Sequence, residues 1–147
     1  MSAQTFTLAH VHAGSDETLQ RCHAVMVQLR THLSLPEFTD QVQRQQLTGY
    51  RLAYVERAGS IVAVAGYRIQ ENLAWGRHLY VDDLVTDEAQ RSSGAGSALF
   101  DYLVQIAREN GCRELHLDSG VQRFGAHRFY LAKRMDITSH HFARKLG

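Results

Sequence analysis

The chain has little of what marks the specialised classes. It carries two cysteines in 147 residues, Cys22 and Cys112, and they form no C-x-x-C pair. That spacing excludes a disulfide framework and reads as buried or free thiols in a reducing compartment. A net charge of only +1 argues against a nucleic-acid partner. No apolar run approaches the length needed to span a bilayer, so no membrane partner is expected. Residues 1–11 lack the basic stretch and long apolar run of a secretory signal, and the expected location is the cytoplasm. His10 and His12 form an H-x-H pair with no further ligands spaced nearby, so no metal site is expected. Repeats, low-complexity segments and linkers are also missing, which makes residues 1–147 a single domain.

What is present is a small-residue stretch at residues 87–99. A β-like run, 79–85, precedes it, and an amphipathic helical pattern from Ala98 to Ala107 follows it. Arg91, Ser92, Ser93, Gly94, Ala95, Gly96 and Ser97 therefore fall at the start of a helix. Helix starts have unpaired backbone N–H groups and a partial positive charge, ready for an anion. Glycine lets a phosphate approach the backbone closely. A Walker loop is excluded because no Gly-Lys-Ser/Thr follows, and a dinucleotide fingerprint because the third glycine of G-x-G-x-x-G is missing.

The remaining pattern gives the order β-α-α-β-β-β-α-β-α-β. A first strand covers 5–11. Gly14, Ser15 and Asp16 mark a turn and cap for a helix running to about His32, with Leu19, Cys22, Val25, Met26 and Leu29 on one face. Pro36 and Glu37 suit the first turn of a second helix, which ends before Gly49. Two strands, 51–56 and 60–70, join through a Gly-containing hairpin link, and Gly66 inside the second signals a bulge or close packing. Trp75 is placed to cover a sheet edge. A short strand at 114–118, a short helix at 126–133 and a final strand at 136–143 close the chain. The fold class is α/β: a central mixed sheet, antiparallel at first, with a later parallel β-α-β crossover and helices on both faces.

Arg91-x-x-Gly94-x-Gly96 after a strand resembles the acyl-CoA-binding motif of the GNAT superfamily of N-acetyltransferases. Ala126-His127-Arg128-Phe129-Tyr130 resembles that family's later motif on a short helix, and the closing residues 139–146 resemble its last strand. Within the superfamily the run 126–131 and the late His-Phe look like the aminoalkylphosphonate acetyltransferases. The chain departs from the usual family residues at Glu88, Arg123 and Arg134-Met135. The resemblance implies acetyl-CoA as co-substrate, with its pyrophosphate at 91–97 and its pantetheine arm along the backbone of Leu84, Val85 and Thr86, where a bulge splays two strands. It also implies direct attack by an amine in a ternary complex, and a homodimer.

Acetyl transfer needs a neutral amine, a polarised carbonyl and a proton for the departing thiolate. Tyr130 is the candidate acid, since a phenol is protonated at neutral pH; packing against Phe129 is the structural alternative. Asp82 and Asp83 are candidates for accepting the amine proton or anchoring a cationic substrate, or they are a solvated acid pair. Strand alternation lets only one of the two face a pocket, with Tyr80 on the parity of Asp82. His127 is an alternative base, and Arg123 and Arg128 are candidates for an anionic group. The expected function is transfer of acetyl from acetyl-CoA to a primary amine of a small molecule. The alternatives are a protein or peptide N-terminus as acceptor, or a non-catalytic acyl-CoA-binding module.

Overall fold

The computed structural model describes residues 5–147. They form β1 (Thr7–His10), α1 (Asp16–Met26), α2 (Leu35–Gln46), β2 (Arg51–Arg57), β3 (Ser60–Asn72), β4 (Gly76–Thr86), a 3-10 turn (Glu88–Gln90), α3 (Ala95–Glu109), β5 (Glu114–Leu117) and α4 (Phe124–Ala132). The sheet order is β1-β2-β3-β4-β5. The first three pairings are antiparallel, and β4 and β5 run parallel after the crossover through α3. The chain divides into two compact units, one extending through His116 and the other Leu117–Gly147.

In the first unit α1 packs on β3 and β4, while α3 packs on β2, β3 and β4. Seven consecutive residues of β3 are buried, the signature of a strand covered on both faces. Leu19, Cys22, Val25 and Met26 of α1 join Phe38 and Val42 of α2 against Leu52 and Val64. α2 starts where the sequence indicates, and its cap is reciprocal. The Glu37 N–H donates to Ser34 Oγ and the Ser34 N–H to Glu37 Oε1, both at 3.3 Å.

Two expectations fail. α1 stops at Met26, short of His32, because 27–33 close tighter turns: Gln28 and Leu29 donate to the carbonyls three residues back. That segment is held across the fold. Gln28 Oε1 accepts from the Glu88 N–H at 2.9 Å, and Arg30 bonds to Asp82 and Asp83. Residues 136–143 form no strand; they are exposed and pair with nothing regular in the chain. Alternation alone does not make a strand when no neighbouring edge takes up its hydrogen bonds.

The feature that shapes the sheet is a bulge between β3 and β4. Gly66 pairs with Asp83 and Tyr67 with Val81, so Asp82 is an extra residue on β4. Gly66 is required there. A Cβ on it would overlap the Tyr50 hydroxyl and stand 2.6 Å from Asp83 Oδ2. Elsewhere, His10 on β1 lies between two tyrosines, with Nε2 2.7 Å from the Tyr67 hydroxyl and Nδ1 3.3 Å from that of Tyr102. Burial, and then the nearby Arg51, lower its pKa.

Gly66→Ala is expected to destabilise by about 1–3 kcal/mol, the usual cost of forcing atoms into a filled site, as a lower urea midpoint. His10 is neutral in the fold but takes a proton more readily when unfolded. Its contribution is therefore complete above the ordinary value of 6.5 and is lost as pH falls below it. The urea midpoint of His10→Gln should fall less than that of wild type over that range.

Candidate functional site

The bulge places both carboxylates where simple alternation would place one. Asp82 and Asp83 line the same cleft, of about 330 Å³, between the α1–α2 segment and β4. Met26, Leu33, Phe38 and Val42 supply its apolar wall, and Arg30, Gln41, Gln45 and Tyr50 its polar groups. Each acid has its own arginine. Arg68 forks onto Asp82, with Nε to Oδ2 and Nη2 to Oδ1 at 2.8 Å each. Arg30 Nε donates to Asp83 Oδ1 at 2.8 Å, and its Nη2 to the Asp82 carbonyl at 2.8 Å. The Tyr50 hydroxyl donates to Asp83 Oδ2 at 2.7 Å. Burial first, and Asp83 next to it, raise the Tyr50 pKa well above the ordinary phenol value, so it stays a donor. Tyr80 does not line the cleft but lies under Arg68, whose guanidinium is 6.0 Å from its ring centre.

Arg30, Arg68 and Tyr50 were not singled out from the sequence. Arg30 sits in a stretch that reads as helix, and Tyr50 falls between the second helix and the strand read over 51–56. Gly66 was the available signal: a glycine inside an apolar strand implies that some group takes the space of its side chain.

The small-residue stretch forms a tight connection from β4 into α3. Gly94 is the cap of α3, with φ +92°, and as a glycine it provides no side-chain cap. Ser92 is also left-handed, at φ +68°. Ser93 Oγ accepts from the Ala95 N–H at 3.3 Å. A Cβ on Gly96 would stand 2.7 Å from Thr86 Oγ1, so the first turn of α3 lies directly against the end of β4. Gly96 is thus required by the packing of α3 on β4 and Gly94 by the left-handed turn into the helix, whose start is of the kind that suits a phosphate group. β4 has eleven residues and β5 four. The Arg113 N–H donates to the Arg77 carbonyl at 2.8 Å, so β5 starts level with the beginning of β4 and is too short to reach Leu84, Val85 and Thr86. An extended chain can lie along that part of β4.

Tyr130 belongs to α4, in the second unit. Its ring makes an edge contact with Phe129, 5.5 Å between centres, and burial raises its pKa. It is therefore protonated at neutral pH, as an acid must be. His127 Nε2 donates to the Gly120 carbonyl at 2.7 Å and ties down the start of α4. Arg123 is the residue capping that helix, and Arg128 is exposed.

The secondary sequence readings resolve as packing. Trp75 stacks on His116 of β5, 3.6 Å between ring centres. Burial pushes the Cys22 thiol up to about 12, and Cys22 and Cys112 are both free. No group of three or more His, Cys, Asp or Glu side chains placed to hold a metal occurs among the described residues. No helix among them is long and apolar enough to cross a membrane.

Residues 17–136 match the family model described as the acetyltransferase (GNAT) family. Over 120 residues the chain is 34% identical to an uncharacterized N-acetyltransferase, YhdJ, of Bacillus subtilis (strain 168), covering 81% of this chain and 84% of that one. Among solved structures, an acetyltransferase of Trypanosoma brucei superposes with a TM-score of 0.78 at 22% identity, over 97% of this chain and all of the other. An aminoglycoside N-acetyltransferase in complex with CoA gives 0.83 at 13% identity, over 98% of this chain and 97% of its own. With this match over most of its length, the chain belongs to the GNAT family of N-acetyltransferases.

Proposed function

We propose that the protein transfers the acetyl group of acetyl-CoA to a primary amine of a small molecule, by direct attack while both substrates are bound. The observation that carries the acceptor side is the pair Asp82 and Asp83 in a 330 Å³ cleft, immediately before Leu84. A cleft of that size is at the small end of ligand sites and suits a small amine better than a folded polypeptide. Its carboxylates attract an ammonium group and accept its proton, directly or through water, leaving the neutral nucleophile.

On the donor side, Arg91, Ser92, Ser93, Gly94, Ala95, Gly96 and Ser97 hold the CoA pyrophosphate with backbone N–H groups and hydroxyls. Leu84, Val85 and Thr86 offer backbone groups to the pantetheine arm, and an N–H there polarises the thioester carbonyl. The amine nitrogen forms a bond to the acetyl carbon, the carbon–sulfur bond breaks, and the Tyr130 hydroxyl gives its proton to the thiolate. The proton lost by the amine goes to the carboxylate pair. Metal has no part in these steps. The two free thiols fit a reducing cytoplasm. The family match runs from 17 to 136, across both compact units, which supports one working domain over residues 1–147.

Consumption of acetyl-CoA over a panel of amines, aminophosphonates, amino acids, polyamines and peptides tests the reading. Turnover only with peptides would move the acceptor to a polypeptide, and CoA binding with no turnover would leave a binding module. Tyr130→Phe should lower kcat by about a hundredfold, a typical share for one acid, with CoA affinity unchanged. Equal turnover removes the acid role. Gly94→Ala puts a side chain at φ +92° and should weaken CoA binding by about tenfold while costing roughly 1–2 kcal/mol of stability, read by calorimetry and urea titration.

A further inference from the structure

The cleft at Asp82 and Asp83 is walled by residues of the first unit, and its acids are matched by cations. Arg68 pairs with Asp82 and Arg30 with Asp83, so the formal charge of the group is zero. His32, on the same turn segment as Arg30, is the remaining ionisable group of the wall besides Tyr50, and a proton there adds only positive charge. A site that selects a polycation needs a surplus of negative charge, and this cleft has none.

Neither sign is used up, however. Each of the four carboxylate oxygens accepts one bond: both of Asp82 from Arg68, and those of Asp83 from Arg30 and Tyr50. A carboxylate oxygen has a second lone pair, so each can accept again. Arg30 is fixed by two bonds, from Nε to Asp83 Oδ1 and from Nη2 to the Asp82 carbonyl, and its guanidinium has further N–H donors on both terminal nitrogens. Its side chain is 41% exposed and lines the cleft. Arg68 instead turns its fork wholly onto Asp82 and lies over Tyr80, outside the lining. The wall therefore offers open acceptors on the acids and, directly beside them, open donors on Arg30. A guanidinium held at one edge and open at the other is oriented to receive an anionic oxygen group.

We propose that the acceptor amine is a zwitterion: a small molecule whose ammonium group pairs with Asp82 and Asp83 and whose anionic oxygen group pairs with Arg30, with its apolar body against Met26, Leu33 and Phe38. This rests on the proposed function and narrows its acceptor. Arg30 is then the residue that tells an amino acid from an amine lacking the acid group.

Matched acceptors test it: ω-amino acids against their amides, aminoalkylphosphonates against plain alkylamines, and spermidine as a polycation. In wild type kcat/KM should favour the zwitterion of each pair by about tenfold, the worth of one charge-assisted hydrogen bond, mostly through KM. Arg30→Gln should bring that ratio close to one, and Arg30→Lys, a point charge without the fork, should keep part of it. Amine basicity differs within a pair but not between variants, so the change in ratio isolates Arg30. Calorimetric titration of the same pairs gives the ratio without turnover, so a failure of acetyl transfer and a failure of this inference are read separately. A ratio near one in both wild-type pairs, a ratio that Arg30→Gln leaves intact, or a preference for spermidine would each overturn it.

Discussion

The hydrogen bond from Tyr50 to Asp83, passing through the space where Gly66 has no side chain, is the constraint on which the cleft at Asp82 and Asp83 depends. The extra residue at Asp82 bends β4 and moves two consecutive acids to one cleft. The phenol then holds one of them from below, and a buried hydroxyl left without a partner would be costly. Neither the bulge nor the tyrosine would be tolerated without the glycine between them.

Charge follows the same geometry. Two adjacent carboxylates repel, and the fold answers with two arginines from different elements. Arg68 belongs to the neighbouring strand, and Arg30 to the tight turns after α1. Both are partly open to solvent, so the pairs serve more to set the direction of the acids than to stabilise the fold. The early end of α1 is thereby explained: a helix continued to His32 would not leave residues 27–33 in the turns from which Gln28 and Arg30 reach β4 and the loop after it.

Local signals were legible where local chemistry decides. Pro36 and Glu37 located α2, and Gly94 and Gly96 located the start of α3. Gly66 signalled a close approach. What the sequence could not show was long-range. Tyr50 is 33 positions from Asp83 and Arg30 is 53 from it, and no spacing rule links such residues. Alternation also misled in two directions. It separated Asp82 from Asp83, which the bulge reunites. It also made a strand of 136–143, although pairing needs an edge as well as a pattern. The tight β4–α3 connection was legible because it is built within one stretch of chain, and the cleft at Asp82 and Asp83 was not because four separate segments build it.

One strand carries both halves of the proposed chemistry. Asp83 and Thr86 are three residues apart on β4, and at about 3.3 Å per residue they lie roughly 10 Å apart along the strand. Strand backbone stretches very little. β4 therefore works as a ruler: the two acids and the edge proposed for the thioester arm are attached at a fixed backbone spacing. In the proposed chemistry the attacking nitrogen is held at the carboxylates, so its reach to the thioester is set by this spacing, and a shift of the bulge rather than a larger cleft would change it.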